Sequence, residues 1–135
     1  MRFHHVGIVV ANIEEQVKAF QASLGAEWDG QIFHDPNQKV RVAFVLTSPA
    51  DAQIELIEPA GPDSPVSHFL EEKGGGMHHV CYTVADLSQA LRDFKSRGAM
   101  IVRRAKPAVA FGGRMIAWVL TREKLLIEFL ESPET

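Results

Sequence analysis

The second half of this chain repeats the first half, and the repeat restricts the possible folds more than any other feature. Three pairs of identical dipeptides keep their order along the chain: His5-Val6 and His79-Val80, Gly25-Ala26 and Gly98-Ala99, and Ile54-Glu55 and Ile127-Glu128. A single-residue gap aligns all three. A repeat of this length indicates one supersecondary unit that is used twice.

Each copy has the pattern of a strand, a helix and three further strands. In the first copy, Val6–Val10 is apolar and β-branched, which predicts a strand. Asn12 and Glu15 form a capping box for a helix that ends at Gly25. The predicted strands that follow are Glu27–Phe33, Val40–Leu46 and Gln53–Ile57.

The second copy has the same signals. Asp86 is placed to cap a helix, Gln89 lies at its third position, and Gly98 ends it. The strands predicted after this helix are Met100–Arg103, Arg114–Leu120 and Leu125–Leu130. We therefore predict one domain over residues 1–135, with module 1 at about 1–60, a linker helix at about 64–73 that Ser64 caps, and module 2 at about 77–132.

One histidine and one glutamate recur in each module. His5 precedes Glu55 in the first module, and His79 precedes Glu128 in the second. Both acids lie in apolar strands, where a carboxylate is costly unless it is paired or bound to a metal. The pattern predicts one divalent cation, either Co, Ni, Zn or Mn, held by these four residues, since imidazole and carboxylate suit such ions. Taken singly, a histidine in a strand is usually structural, and either glutamate alone is consistent with an acid on an edge strand that faces solvent.

The remaining polar residues have less distinctive interpretations. By strand alternation, His4 and His78 point away from the side of His5 and His79. His34 and His68 are expected at the surface, and Cys81 as a small buried residue. The basic residues Arg103, Arg104, Lys106 and Arg114 are expected to form a solvated face, or alternatively to hold a phosphate-bearing substrate.

Composition excludes several partners. The formal net charge of −3 argues against nucleic acid, which usually requires a basic excess. The residues at the start, Met1–His5, contain no apolar signal-peptide region, and no apolar run reaches the roughly 20 residues that span a membrane. With a single cysteine, the chain cannot form an internal disulfide. We expect a cytoplasmic protein that binds neither nucleic acid nor membranes.

Three stretches resemble the vicinal-oxygen-chelate (glyoxalase/bleomycin resistance/dioxygenase) superfamily, and especially its methylmalonyl-CoA epimerase-like branch: His5–Val10, Gln53–Pro59 and Asp63–Val80. The resemblance implies an α+β fold in which two tandem βαβββ modules form one cup-shaped mixed sheet around a metal site. It also implies His5, Glu55, His79 and Glu128 as metal ligands and a homodimer. The chain departs from the resemblance at one position: some epimerases carry an additional acid in the middle strand, and the corresponding residue here looks like Val42.

The resemblance implies an enzyme that works through an enolate of a 2-substituted acyl thioester similar to methylmalonyl-CoA. Glu55 and Glu128 would transfer protons on opposite faces of the substrate. Two alternatives remain open: a glyoxalase I-type lactoylglutathione lyase acting on a thiol adduct, and a non-catalytic small-molecule binding or resistance protein. An extradiol dioxygenase is disfavoured because that class has a longer chain and three metal ligands.

Overall fold

A computed structural model of the chain describes residues 1–47 and 53–133. Its strands and helices follow one another in this order: β1 (Arg2–Val9), α1 (Ile13–Leu24), β2 (Glu27–Trp28), β3 (Phe33–Asp35), β4 (Val40–Leu46), β5 (Gln53–Pro59), α2 (Ser67–Lys73), β6 (Gly76–Val84), α3 (Leu87–Ser96), β7 (Met100–Pro107), β8 (Met115–Leu120) and β9 (Leu126–Glu131). A 3-10 turn at Val109–Phe111 lies between β7 and β8. The predicted βαβββ order is present in the second module, and in the first module four strands follow the helix because one predicted strand is divided into β2 and β3.

The strands form a mixed sheet in the order β2-β4-β5-β1-β6-β9-β8-β7, with β3 paired to β4. In the first module β1 pairs with β5 in parallel, and β4 pairs with β5 antiparallel. In the second module β6 pairs with β9 in parallel, and β8 pairs with β9 antiparallel. The predicted α+β class with a mixed sheet is confirmed.

The chain divides into two compact units whose boundary crosses β1. The first unit is His5–His78, and the second combines Met1–His4 with His79–Thr135. Within the second unit, the Thr83 hydroxyl donates a hydrogen bond to the Arg2 carbonyl at 3.4 Å. The ring of Phe3 meets the Tyr82 ring edge-on at 5.9 Å. The first residues of β1 therefore belong structurally with the second module.

In each unit one face of the strands is buried under a helix. In the first unit Ile13 and Val17 of α1 pack against Ala43, Val45 and Leu56. In the second unit, Leu87 of α3 belongs to a cluster with Val119, Ile127 and Phe129, and the Phe94 and Phe129 rings meet at 4.8 Å. Each fully buried side chain of this kind contributes about 1.5–3 kcal/mol. Because side chains alternate along a strand, the residues between these positions lie on the opposite face.

The helix caps predicted at Asn12 and Asp86 are present, whereas Ser64 does not cap the linker helix, whose N-cap position is Val66. The Asn12 side chain accepts a hydrogen bond from the Glu15 amide, and the Asp86 side chain accepts one from the Gln89 amide, each at 2.9 Å. Gly25 follows α1 in the left-handed conformation, with φ at 64°. Glycine adopts this conformation without the steric penalty that other residues incur, so it ends the helix where the sequence predicted.

Several predicted boundaries are wrong. The linker helix starts at Ser67 rather than near Ser64, because the Ser64 carbonyl accepts from the Ser67 amide in a turn. The expected strand Glu27–Phe33 is interrupted by a turn in which Asp29 accepts from the Gln31 amide, leaving β2 and β3. β7 continues to Pro107, beyond the predicted end at Arg103.

None of the helices within residues 1–47 and 53–133 has the length and apolar character needed to cross a membrane.

Candidate metal centre

The first unit brings His5 and Glu55 together. His5 lies within β1, three residues after the first residue of this strand, which was predicted to begin at Val6. Glu55 lies in β5, opposite Gly7 in the parallel register. The His5 Nε2 and Glu55 Oε1 atoms are 3.4 Å apart, and the two side chains are 0% and 8% exposed. A histidine and a carboxylate thus meet in a region that excludes water.

The second unit repeats this pair. Glu128 of β9 lies opposite Cys81, which follows His79 by two residues. In the same way, Glu55 lies opposite Gly7, which follows His5 by two residues. The His79 Nε2 and Glu128 Oε1 atoms are 3.3 Å apart, with side chains 1% and 4% exposed. The pairing predicted within each module is present, and each unit contains half of the predicted ligand set.

An aromatic side chain accompanies each pair. Phe44 of β4 lies opposite Glu55, and Trp118 of β8 lies opposite Glu128. The ring of Phe44 meets the His5 ring edge-on at 5.7 Å, and the ring of Trp118 meets the His79 ring edge-on at 4.6 Å. These contacts restrict the rotation of both imidazoles, so the aromatic residues help to orient them.

The chemistry of each pair fits a divalent metal ion. Two ligand atoms that each lie about 2.1 Å from one ion at an angle near tetrahedral are roughly 3.4 Å apart. The observed nitrogen–oxygen distances of 3.4 and 3.3 Å match that separation. Imidazole nitrogen with carboxylate oxygen suits Zn, Co, Ni or Mn. A bound cation would also offset the cost of burying Glu55 and Glu128, which lie in apolar strands.

The other histidines lie in different surroundings. His4 meets the Phe111 ring edge-on at 5.4 Å, and His78 meets the Phe69 ring at 5.2 Å. His34 and His68 are exposed, as predicted, and His68 lies 3.1 Å from Glu72. His4 and His78 are half-buried. Each packs against an aromatic ring, which restricts the orientation of its imidazole.

The remaining predicted positions are mostly confirmed. Cys81 is fully buried, and Val42 is 4% exposed. Arg104 and Lys106 are exposed as expected for a solvated face. Arg103 and Arg114 are half-buried instead, and the Arg114 Nε donates a hydrogen bond to the Glu131 carbonyl at 2.8 Å. The solvated-face interpretation is wrong for these two arginines.

The amino-acid sequence of this chain is similar to those of known proteins. Residues 4–118 match the Glyoxalase/Bleomycin resistance protein/Dioxygenase superfamily. An ethylmalonyl-CoA/methylmalonyl-CoA epimerase from Cereibacter sphaeroides is 34% identical over 119 residues, which is 87% of each chain. The mitochondrial methylmalonyl-CoA epimerase of Mus musculus is 36% identical over 97 residues, covering 71% of this chain and 53% of the relative.

Comparison with solved structures gives the same kind of protein. The crystal structure of methylmalonyl-CoA epimerase from Mycobacterium tuberculosis superposes with a TM-score of 0.85 at 26% identity, covering 98% of this chain and 89% of that chain. The chain therefore belongs to the Glyoxalase/Bleomycin resistance protein/Dioxygenase superfamily, as its sequence predicted. Within that superfamily, the relatives named above are epimerases of acyl-CoA thioesters.

Proposed function

We propose that this chain is a metal-dependent epimerase of 2-substituted acyl thioesters, with methylmalonyl-CoA as its first candidate substrate. The observation that carries the proposal is the 34% identity to an ethylmalonyl-CoA/methylmalonyl-CoA epimerase over 87% of both chains. The buried His–Glu pair in each module supplies groups that such chemistry needs.

The ligand set proposed for one divalent cation is His5, Glu55, His79 and Glu128. Each pair has the donor types, the separation and the burial that a metal ion requires. The cation, whether Co, Ni, Zn or Mn, would act as a Lewis acid that stabilises negative charge on the carbonyl oxygens of the substrate.

Glu55 and Glu128 are the proposed proton-transfer groups. A carboxylate has two oxygens, so one can coordinate a metal while the other accepts a proton from carbon 2 of the substrate. Removal of that proton by one glutamate gives an enolate, and the other glutamate returns a proton to the opposite face, which inverts the stereocentre. The equivalent register of the two residues in their modules supports assigning them matching roles.

Two other functions are less well supported. A glyoxalase I-type lyase could use the same ligands, but the named relatives are epimerases. A non-catalytic binding or resistance protein has no need of two buried His–Glu pairs. A cytoplasmic location, a homodimer and a single cup-shaped domain stay predictions from the sequence and its family resemblance.

The test follows a proton at carbon 2. Cobalt-loaded protein is incubated with one epimer of methylmalonyl-CoA in D₂O, with metal-free protein as the control. Proton NMR should show loss of the carbon 2 proton, and chromatography should show formation of the other epimer. A thioester that keeps its proton, while the adduct of methylglyoxal and glutathione is converted, would establish the lyase instead. Binding of the thioester without either reaction would indicate a binding protein.

A further inference from the structure

The connection between β7 and β8 packs an aromatic ring over the part of the second unit that contains Glu128. The connection includes the 3-10 turn Val109–Phe111, which we call the cover. Two glycines follow the cover, with φ at 64° and 85°, and glycine adopts such angles without steric cost. They turn the chain back toward β8. The ring of Phe111 packs on the sheet, whereas Val109 is 42% exposed.

The residues under this ring adjoin Glu128 on its own face of the sheet. Cys81 lies directly opposite Glu128, and Leu130 follows Glu128 by two residues on the same strand. Ile116 lies opposite Leu130. Residues that are opposite or two apart share a face, so all three lie on the face of Glu128. They belong to one cluster, each at most 2% exposed, against which the Phe111 ring packs.

A second contact holds Phe111 in this position. Its ring meets the His4 ring edge-on at 5.4 Å, with the two planes 88° apart. Edge-to-face pairs of this kind contribute stability beyond the area that they bury. Phe111 therefore joins the first residues of β1, which belong to the second unit, to the cluster beside Glu128, whose side chain is 4% exposed.

The matching connection in the first module lacks an aromatic residue. Between β3 and β4 it consists of residues 36–39, which are proline, asparagine, glutamine and lysine. The amides of Asn37 and Gln38 donate hydrogen bonds to the Asp35 carboxylate, so the connection is a tight polar turn. A connection that places an aromatic ring beside the glutamate is therefore a feature of the second module.

We propose that Phe111 is a positioning residue that keeps water from Glu128, and so determines how often a proton taken by Glu128 returns to the substrate. The inference rests on the proposed epimerase function and adds a residue to it. When the carbon 2–hydrogen bond breaks, the Glu128 carboxylate takes the proton and an enolate forms. Return of that proton restores the starting epimer, whereas water that reaches the carboxyl group replaces the proton with one from solvent. Exclusion of water also strengthens electrostatic interactions inside a site.

The first experiment measures the cover itself, in metal-loaded protein without substrate. Cys81 is the only cysteine of the chain, is fully buried and belongs to the cluster under Phe111. Its rate of alkylation by iodoacetamide therefore reports how often the cover opens. Phe111→Ala should raise this rate at least about 10-fold, since loss of a packed aromatic side chain destabilises a closed state by more than that change requires. Phe111→Leu, which stays apolar and large, and Val109→Ala, in the same turn, should react as wild type does.

The second experiment follows deuterium. Each epimer of methylmalonyl-CoA is incubated with metal-loaded protein in D₂O, and mass spectrometry gives the deuterium content of the recovered starting epimer relative to the amount of the other epimer formed. Phe111→Ala should raise this ratio severalfold for the one epimer whose proton Glu128 takes. The ratio for the other epimer should not change, because Glu55 takes that proton. Phe111→Leu and Val109→Ala should give the wild-type ratios.

Four results would overturn the inference. Wild-type alkylation of Cys81 in Phe111→Ala, with metal content and far-UV circular dichroism unchanged, would show that the ring is not a cover. Faster alkylation with unchanged ratios for both epimers would separate the cover from proton transfer. An equal rise for both epimers would indicate a general loosening of the site.

The fourth result concerns the function on which the inference rests. If the wild-type protein exchanges neither epimer while Phe111→Ala still accelerates alkylation, the proposed epimerase function is wrong, and the role of Phe111 in proton transfer falls with it. If Phe111→Ala does not fold, Phe111→Val, which removes less of the side chain, is used for the same comparisons.

Discussion

At the scale of single residues, the pairs of His5 with Glu55 and His79 with Glu128 could be predicted from the sequence because their context is unusual. An acid inside an apolar strand is unusual because burial of a carboxylate is costly. The same acid recurs in the second module together with a histidine, which indicates a shared role. The aromatic partners Phe44 and Trp118 were missed. In the repeat they are offset by one residue, since Phe44 aligns with Ala117, and only the cross-strand register shows that each lies opposite a glutamate.

Replacement of Glu128 by Gln tests the proposed roles of the two glutamates. In protein that retains its metal, interconversion of the two epimers should fall by about 10²–10⁴-fold, the usual contribution of a general acid–base group. Exchange of the carbon 2 proton from one epimer into D₂O should continue, because Glu55 remains. Chromatography of the epimers and NMR measure the two rates.

The matched control is Glu131→Gln, the same change on the same strand. It should leave both rates unchanged. Metal-loaded Glu128→Gln protein that interconverts the epimers at the wild-type rate would rule out the two-base mechanism.

At the scale of elements, the capping residues predicted where α1 and α3 begin and end. The pairing between strands could not be predicted from the sequence. A cap depends on residues three apart, as in Asn12 and Glu15. The register shift in β7 depends on its ladder with β8, which no local pattern of residues indicates. For this reason Arg103 was assigned to a solvated face.

The helix caps should have a measurable effect on stability. Asn12→Ala and Asp86→Ala each remove a side chain that accepts a 2.9 Å hydrogen bond from a backbone amide. Each should lower the free energy of unfolding by about 1 kcal/mol. Urea denaturation followed by circular dichroism gives this value. Gln21→Ala, at an exposed position inside α1, serves as the control, and equal stability of the cap variants and this control would contradict the assignment.

At the scale of the whole molecule, the duplicated module gives the prediction of one cation per chain. If the two pairs share a single ion, titration of metal-free protein should reach saturation at one equivalent. His79→Ala should then weaken binding at least about 10-fold, because even residues that only support metal ligands contribute this much. Its far-UV circular dichroism should stay near that of wild type.

His68→Ala, which changes an exposed histidine, should bind metal normally. If each pair held its own ion, the wild-type protein would bind two equivalents, and His79→Ala would keep one. Elemental analysis of protein purified without chelator distinguishes these results.

The division of β1 between the two units ties the first residues of this strand to residues that are synthesised much later. Arg2 is made before Thr83, yet its carbonyl accepts a hydrogen bond from the Thr83 hydroxyl, and the unit that contains both also contains β9. At typical rates of synthesis, residues 79–131 require roughly 3–10 s after the first unit is complete. During that interval the leading segment, with Phe3 on it, is an unpaired strand edge, which other nascent chains or chaperones can bind. Slow translation of the second module would therefore favour aggregation.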